Sequence, residues 1–179
     1  MNTHNIRSFQ GYQPTIDPSV YIDPMCTIIG DVHIGKDSSV WPHVSIRGDM
    51  HHIRIGEGTS IQDGSVIHVT HASKYNPDGF ATTIGNFVTI GHKVTLHGCT
   101  IHDYCIIGMD SIVLDGAVIE SQVLLAAGSL VPPKKVLKSG YLWAGRPAQI
   151  KRPLTEEELS FFEYSAKNYI KLKDQYLAG

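Results

Sequence analysis

Residues 84–98 read Ile-Gly-Asn-Phe-Val-Thr-Ile-Gly-His-Lys-Val-Thr-Leu-His-Gly, and an aliphatic residue recurs at every sixth position from Ile84 to Leu96. This period matches neither the 3.6 residues of a helical turn nor the alternation of a single strand. Hexapeptide repeats are typical of a parallel β-helix, in which each repeat contributes a short strand with its aliphatic residue pointing inward. The stretch also contains His92 and His97, so the repeat assigns both histidines to defined points on a rigid coil.

The same repeat extends over most of the chain. It starts at Ile16, gains three residues after Ile46, is interrupted after Ile67 and loses one residue before Ile101. The predicted inward-facing residues are Ile16, Ile22, Ile28, Ile34, Val40, Ile46, Ile55, Ile61, Ile67, Ile84, Ile90, Leu96, Ile101, Ile107, Val113, Ile119, Leu125 and Val131. We therefore predict an all-β fold, a parallel β-helix with three strands and about 18 residues in each triangular coil.

One segment interrupts the coil. Residues 72–83 lack the repeat and contain the turn-forming sequence Asn76-Pro77-Asp78-Gly79, which predicts a loop thrown out from the β-helix. Long loops of this kind are usually functional or involved in contacts. With residues 1–15 as a lead-in, we predict a β-helix domain over residues 1–153 that carries a loop insertion near residues 72–83.

A helix is predicted after the coil, which we expect to end near Pro132. Thr155 and Glu158 have the spacing of a capping box, and the following apolar spacing predicts a helix from about residue 156 to 177. Its apolar face comprises Leu159, Phe162, Ala166, Tyr169, Ile170 and Leu177. Residues 154–179 therefore form a C-terminal helical segment that packs on the β-helix, of the same chain or of a neighbouring subunit.

Composition argues against several kinds of partner. The net charge of the 179 residues is −2 and no run of Lys or Arg occurs, so nucleic acid is a poor candidate. No apolar run approaches the ~20 residues that span a bilayer, and the N-terminus lacks a signal-peptide pattern. Cys26, Cys99 and Cys105 form no CxxC pair, which predicts reduced thiols and a cytoplasmic protein. We interpret Cys26 and Cys105 as packing residues of the coil.

Counting repeats around the coil assigns polar residues to one column. Arg47, His68 and His97 each follow an inward-facing residue on the same face of consecutive coils. Neighbouring strands lie about 4.8 Å apart, so both imidazoles can reach one metal at about 2.0–2.1 Å. His92 falls on another face, where it stacks on Asp63. Because the faces of a triangular coil differ in direction by roughly 120°, His92 of a second subunit would have to complete the set.

A purely structural interpretation of the same residues is an alternative. On that interpretation Arg47-Gly48-Asp49 is a surface ion pair in a turn, and Gln62-Asp63-Gly64 is a polar turn of the coil. The histidine pair together with a facing Arg47 and Asp63 favours a metal site. The other histidines are interpreted as ordinary surface residues, namely His4, His33, His43, His51, His52 and His102.

The pattern Arg47-Gly48-Asp49, Gln62-Asp63-Gly64, His68, and His92 followed by His97 resembles the γ-class carbonic anhydrases and their relatives over nearly the whole chain. The resemblance implies a left-handed β-helix and a homotrimer. It also implies one Zn²⁺ per subunit interface, with Fe²⁺ or Co²⁺ as alternatives. The metal ligands correspond to His68 and His97 of one chain and His92 of the next.

The resemblance also implies roles for four polar residues. Arg47 and Asp49 match a pair that ties subunits together, Asp63 matches an acid near that pair, and Gln62 matches a residue lining the metal pocket. The chain carries His71 where well-characterised members have an acidic loop with a proton-shuttling glutamate. An imidazole can exchange a proton near neutral pH, so we expect His71 either to take over this task or to anchor the loop.

Two further departures from the family pattern lie close to these motifs. The chain has Ser60 where those members have Asn, and Met50 where they have an acidic residue after Arg-Gly-Asp. Metal binding is therefore better supported by the residues than rapid CO2 hydration.

The expected activity is hydration of CO2 to bicarbonate. A bound metal lowers the pKa of its water toward ~7, and the resulting hydroxide attacks CO2 while Gln62 orients the reactants. One alternative is a coenzyme A-dependent acyltransferase or thioesterase, because residues 143–148 resemble the end-of-coil turn of hexapeptide transferases. Such an enzyme needs a histidine base free of metal. The other alternative is a non-catalytic, trimeric, metal-binding scaffold.

Overall fold

The structure is a computed structural model that describes residues 5–179, so His4 lies outside the described residues. It has the predicted fold class, a left-handed parallel β-helix followed by one α-helix. The elements are β1 (Ile6–Arg7), β2 (Thr15–Ile16), β3 (Tyr21–Ile22), β4 (Thr27–Ile34), β5 (Ser39–Val40), β6 (Ser45–Ile55), β7 (Ser60–Ile61), β8 (Val66–His68), β9 (Thr82–Ile84), β10 (Thr89–Ile90), β11 (Thr95–His97), β12 (Thr100–Ile101), β13 (Ile106–Ile107), β14 (Ile112–Val113), β15 (Val118–Ile119), β16 (Leu124–Leu125), β17 (Leu130–Val131), β18 (Val136–Leu137), β19 (Tyr141–Ala144), β20 (Gln149–Pro153) and α1 (Glu156–Ala178).

Strands of successive coils stack into three faces. The first face runs from β4 through β6, β8, β11 and β14 to β17, and the second runs from β2 through β4, β6, β9, β12 and β15 to β18. The third face runs from β3 through β5, β7, β10, β13 and β16 to β19. The long strands β4 and β6 contribute to two faces each, because the register shifts within them. All of these pairings are parallel, as a solenoid requires.

The core is a single stack of the aliphatic residues of the repeat. Every predicted inward-facing residue from Ile28 to Val131 is buried, and Ile16 and Ile22 pack against the open end of the stack. Burying a side chain of this size stabilises the fold by about 1.5–3 kcal/mol. The three cysteines are free and buried, so the packing role predicted for two of them is confirmed.

The coil extends beyond both limits expected from the sequence. It does not end at the proline pair, because Leu137 and Trp143 continue the repeat, are buried, and lie in parallel strands of the second and third faces. Pro132 is tolerated there because it follows β17, the last strand of the first face, and no further strand needs its N–H. At the other end Ile6–Arg7 of the lead-in pairs with β4.

The chain leaves the coil between β8 and β9 in a segment that we call the excursion loop (residues 69–81). Strand β8 ends at His68 and β9 begins at Thr82, so the last two residues of the segment predicted as a loop belong to the coil. Thr70 and Phe80 pair across the base of the loop in an antiparallel bridge. The loop therefore departs directly beside the predicted metal ligand.

Helix α1 lies on the third face of its own chain. Its capping box is present, and Phe162 and Ala166 are buried against the coil. Leu177 was expected on the buried face but is 48% exposed. The helix runs from β16 toward β3, the terminal strand of this face, and its last turn passes the edge of the coil. Lys173 is buried instead, with its ammonium 3.2 Å from Asp37.

Aromatic side chains hold the C-terminal half of α1 on the coil. Trp41 packs edge-on against Tyr169 and Tyr176 of the helix, and the ring of Tyr21 packs at a tilt against both Trp41 and Tyr176. The indole of Trp41 donates a hydrogen bond to Ser60, 2.9 Å away. Aromatic pairs of this geometry contribute about 0.5–1.5 kcal/mol each beyond their buried area. The helix is therefore fixed relative to β5 and β7.

The start of α1 supplies a test of pH-dependent stability. Hydrogen bonds from Arg152 and from the Thr155 backbone lower the pKa of Glu158 to about 2. Because the folded-state pKa is lowered, this stabilisation is present above the ordinary pKa of glutamate and is lost as pH falls toward 2. Thermal unfolding of Glu158→Gln should show a loss of about 0.5–1 kcal/mol at pH 7 that shrinks below pH 4.

The matched control is Glu156→Gln, which removes a first-turn carboxylate that has no recorded ion pair among the described residues. At pH 7, Glu156→Gln should lower the free energy of unfolding less than Glu158→Gln does. Equal losses in the two variants, or a Glu158→Gln loss that is the same at pH 3 and pH 7, would contradict the assignment.

Candidate metal centre

The first face carries the histidine column that the repeat count predicts. His97 lies opposite His68 in the parallel pairing of β11 with β8, and Arg47 follows the aligned position of β6. The two imidazoles approach each other, with His68 Nδ1 3.2 Å from His97 Nε2. The coil therefore brings two ring nitrogens together at the end of two neighbouring strands.

Each of these imidazoles is held by a carboxylate at its other nitrogen. Asp49 Oδ1 lies 3.0 Å from His68 Nε2, and Asp115 Oδ1 lies 2.6 Å from His97 Nδ1. A carboxylate accepts a hydrogen bond, so these nitrogens carry the protons and the facing nitrogens present lone pairs. Two lone pairs at this distance repel each other unless a cation lies between them. Two nitrogen ligands of a tetrahedral zinc ion are about 3.4 Å apart, so the pair suits a metal.

The electrostatics around His68 favour the neutral imidazole that metals bind. Burial lowers the pKa of His68, and this effect outweighs the hydrogen bond with Asp49. Burial alone would raise the pKa of Asp49, but hydrogen bonds from Arg47 and His68 hold it below its ordinary value. At neutral pH the group is therefore an arginine, an ionised carboxylate and a neutral histidine, and no proton has to leave His68 before a metal binds.

The third predicted ligand lies elsewhere on the molecule. His92 follows β10 on the third face, where its Nδ1 is 3.0 Å from Asp63 Oδ2 and its side chain is 47% exposed. Among residues 5–179 of one chain, no three His, Cys, Asp or Glu side chains are arranged to hold one metal ion. Because Asp63 holds Nδ1, Nε2 is the ring nitrogen of His92 that remains for a ligand.

The three histidines share one feature. Among the described histidines, only His68, His92 and His97 have a carboxylate oxygen within 4.0 Å of a ring nitrogen. Metal-binding histidines commonly donate their second N–H to a carboxylate, which fixes the ring and its tautomer. The chemical environment therefore distinguishes these three from the remaining imidazoles of the described chain.

Gln62 and Asp63 lie beside His92 on the third face. Gln62 is 5% exposed and lines a pocket of about 350 Å³ together with His92 and Tyr169 of α1. Burial and the charge of Asp63 raise the pKa of Tyr169, although a hydrogen bond from Gln62 opposes the shift. We expected Tyr169 only as an apolar contact of the helix, and its hydroxyl was not predicted as part of the site.

The residues at which the chain departs from the family pattern lie in three different environments. Ser60 is buried and accepts the hydrogen bond of Trp41, so it supports the core. Met50 is 45% exposed and lines a polar pocket that also contains Asp49. His71 is exposed on the excursion loop, one residue beyond Thr70, whose hydroxyl lies 3.4 Å from His97 Nδ1.

The three cysteines are poor candidates for nucleophiles, because all of them are buried. Burial raises the pKa of Cys99 and of Cys105 to about 12, and that of Cys26 to about 11. The reactive form of cysteine is the thiolate, which is scarce at neutral pH under these conditions. Cys99 lies close to His97 in the chain but faces the core.

Comparison with known proteins shows that the chain is a hexapeptide-repeat protein. Residues 13–48 match the family described as bacterial transferase hexapeptide (six repeats). The solved structure of a hexapeptide transferase family protein from Anaplasma phagocytophilum superimposes with a TM-score of 0.88 at 46% identity, covering 96% of this chain and 97% of that one.

Two relatives show to which family of hexapeptide-repeat proteins the chain belongs. The Protein YrdA of Escherichia coli is 53% identical over 172 residues, which are 96% of this chain and 94% of YrdA. The mitochondrial Gamma carbonic anhydrase 2 of Arabidopsis thaliana is 45% identical over 161 residues, 89% of this chain. The chain spans 57% of the length of that plant protein. The chain belongs to the γ-class carbonic anhydrase-like family of hexapeptide-repeat proteins.

The ring of Phe80 in the excursion loop packs beside Gly116, the residue that follows Asp115. A Cβ placed on Gly116 would lie 3.0 Å from Phe80 Cε1, whereas one placed on Gly128 would meet nothing within 4 Å. Both glycines have a left-handed backbone, with φ of +68° and +70°. A Cβ on Gly116 would also lie 3.2 Å from Lys134 Cγ, the flexible part of that side chain. The two positions therefore differ in their side-chain contacts, chiefly with Phe80, and not in backbone strain.

This difference gives a test of how tightly the loop base is held. Gly128→Ala should lose about 1–2 kcal/mol of unfolding free energy from the left-handed conformation alone. Gly116→Ala should lose about 1 kcal/mol more, because Phe80 and the Lys134 side chain have to move. Chemical denaturation measures the unfolding free energy of both variants, and equal losses would mean that both side chains move without a measurable loss of stability.

Proposed function

We propose that the protein is a homotrimeric, metal-dependent carbonic anhydrase-like lyase that hydrates CO2 to bicarbonate. His68 and His97 of one subunit and His92 of the next would hold the ion. The proposed ion is Zn²⁺, and Fe²⁺ or Co²⁺ are alternatives that neutral imidazoles also accept. The observation that carries the proposal is the carboxylate bound to each of these three histidines and to no other described histidine.

A second subunit is required by the positions of the ligands. Two imidazoles converge on the first face at 3.2 Å, whereas His92 is half-exposed on the third face of the same chain. A zinc enzyme of this type uses three protein ligands and leaves a fourth position open for water or substrate. Closed three-fold symmetry would bring the first face of one subunit to the His92 edge of the next and would create three equivalent sites.

The residues of the chain have separate tasks in this proposal. When bound, the metal supplies the Lewis acidity that makes water reactive toward CO2 near neutral pH. Gln62 would arrive with His92 from the same subunit, and its amide can donate a hydrogen bond to an oxygen of CO2 or bicarbonate. Arg47 and Asp49 orient His68 and add a fixed charge pair at the edge where subunits meet.

The proton released by hydration has to reach solvent. His71 is proposed to accept it, because this residue is exposed on the excursion loop directly after Thr70. Asp63 would hold His92 through the hydrogen bond to Nδ1, a role beyond the predicted stacking of the two residues. None of the helices among the described residues is long and apolar enough to span a membrane. A cytoplasmic location remains the expectation from the reduced cysteines.

Acyl transfer is the second candidate function, and two observations favour it. The solved relative from Anaplasma phagocytophilum is titled a hexapeptide transferase family protein. A histidine hydrogen-bonded to an aspartate, as in His97–Asp115, is also the arrangement of a general base. A transferase would use His97 without metal, so full metal occupancy counts against it. A metal-binding scaffold would be occupied but inactive.

Mixed trimers test the proposed function. His68→Ala and His92→Ala should each abolish stoichiometric metal binding and CO2 hydration. When the two variant chains are refolded together, some interfaces regain all three ligands, and both metal content and activity should partly return. Metal analysis and stopped-flow hydration measure the outcome. A mixture that recovers neither would mean that the ligands do not come from two chains.

The proton-transfer task of His71 has a separate test. His71→Ala should slow CO2 hydration by about 10-fold or more in weak buffer, because a positioned proton acceptor contributes typically 10²–10⁴-fold. Added imidazole should restore the rate, and metal content should not change. The control is His102→Ala, which removes another exposed histidine. An unchanged rate for His71→Ala in weak buffer would remove His71 from the mechanism.

A further inference from the structure

We propose that Asp115 is a positioning residue that fixes the tautomer and orientation of His97 for metal binding through Nε2. This inference rests on the proposed metal site and assigns a task to a residue outside the family motifs. The carboxylate uses both oxygens. Oδ1 accepts the Nδ1 proton of His97 at 2.6 Å, and Oδ2 accepts the hydroxyl proton of Thr70 at 2.8 Å.

Asp115 is held in this position by its surroundings. It follows β14, and its backbone carbonyl accepts a hydrogen bond from the N–H of Lys134 in the next coil. Thr70 pairs through its backbone with Phe80 in the bridge that closes the excursion loop, and this pairing fixes the position of the hydroxyl that bonds to Asp115. The side chain of Asp115 is 28% exposed. It is therefore shielded enough for its hydrogen bonds to be stronger than those of a fully solvated carboxylate.

Gly98 explains why the carboxylate can approach His97 so closely. A Cβ placed on Gly98 would lie 2.5 Å from Asp115 Oδ1 and 2.7 Å from Phe80 Cβ. Any side chain at this position would displace the carboxylate or the base of the loop. Gly98 also has a φ of +57°. The glycine directly after the predicted ligand thus makes room for the group that orients that ligand.

The hydrogen bond has a chemical consequence for metal binding. A neutral imidazole carries its proton on either nitrogen, and in water the Nε2–H form is the commoner one. That form would turn a proton toward His68 and the metal position. Asp115 favours the Nδ1–H form, which leaves the Nε2 lone pair free and makes it more basic. Removing such a partner typically lowers metal affinity by about 10–100-fold.

The chain contains a matched carboxylate for comparison. Asp103 occupies the same position of its repeat, two residues after the inward-facing Ile101, as Asp115 does after Val113. Its carboxylate accepts hydrogen bonds from the backbone and side-chain N–H groups of Asn86, and among the described residues it makes no hydrogen bond to a histidine. Asp103→Asn therefore shows how far the loss of a carboxylate at this repeat position changes zinc affinity when no histidine is involved.

The experiment compares Asp115→Asn with Asp103→Asn in two measurements. In the metal-free protein, the ¹⁵N shifts of the His97 ring should show Nδ1–H in the parent and in Asp103→Asn, and mixed tautomers in Asp115→Asn. Competition with a zinc chelator should then show an affinity about 10–100-fold lower for Asp115→Asn alone. An unchanged ring spectrum, or an equal loss of affinity in both variants, overturns the proposal.

Two further measurements distinguish a failure of the Asp115 proposal from a folding failure of the variant and from a failure of the proposed function. If Asp115→Asn does not fold, the metal-free parent decides the point alone, because the proposal requires the Nδ1–H form of His97 there and the Nε2–H form, the commoner one in water, overturns it. If the parent takes up no zinc, the proposed function fails, whereas the ring spectrum of the metal-free protein still decides whether Asp115 fixes the tautomer of His97.

Discussion

The stacking of one aliphatic residue per repeat on the next coil is the constraint on which this structure depends. Once Ile67 lies over Leu96 in the core, the residues that follow them, His68 and His97, are forced into register on the outside. The register of parallel strands is strongly specified where one side of the strand is buried, because a slip by one residue would turn the core side chains outward. The positions of the outer side chains thus follow from the burial of the inner ones.

This dependence explains what the sequence predicts well. The period of six defines the faces, and counting repeats brings His68 and His97 together and separates His92 from them. It predicts less where the chain leaves the repeat. Asp115 was missed because its contact with His97 crosses from one coil to the next through a corner, and no local pattern marks that contact. Leu177 was misassigned because helical spacing says nothing about where the underlying face ends.

The two halves of the proposed site differ in how they are held. His68 and His97 lie on neighbouring strands, so the coil fixes their backbones, and Asp49 and Asp115 fix their rings. His92 and Gln62 lie beside α1, whose docking depends on the aromatic contacts of Trp41 and on a buried lysine. The terminal helix therefore contributes to the site through the face that carries the third ligand, although it contains none of the ligands.

In the proposed trimer, metal binding and assembly are thermodynamically linked. A ligand that binds only the assembled state stabilises that state, by RT ln(1 + [L]/Kd) for a single site, and so opposes dissociation of the subunits. The convergent pair on the first face supplies only two nitrogen ligands, and two imidazoles bind a metal less tightly than three do. Its lone pairs repel in the metal-free chain, and this repulsion is relieved when a cation enters. Relief of that repulsion by a bound cation would add to the stability of the proposed trimer.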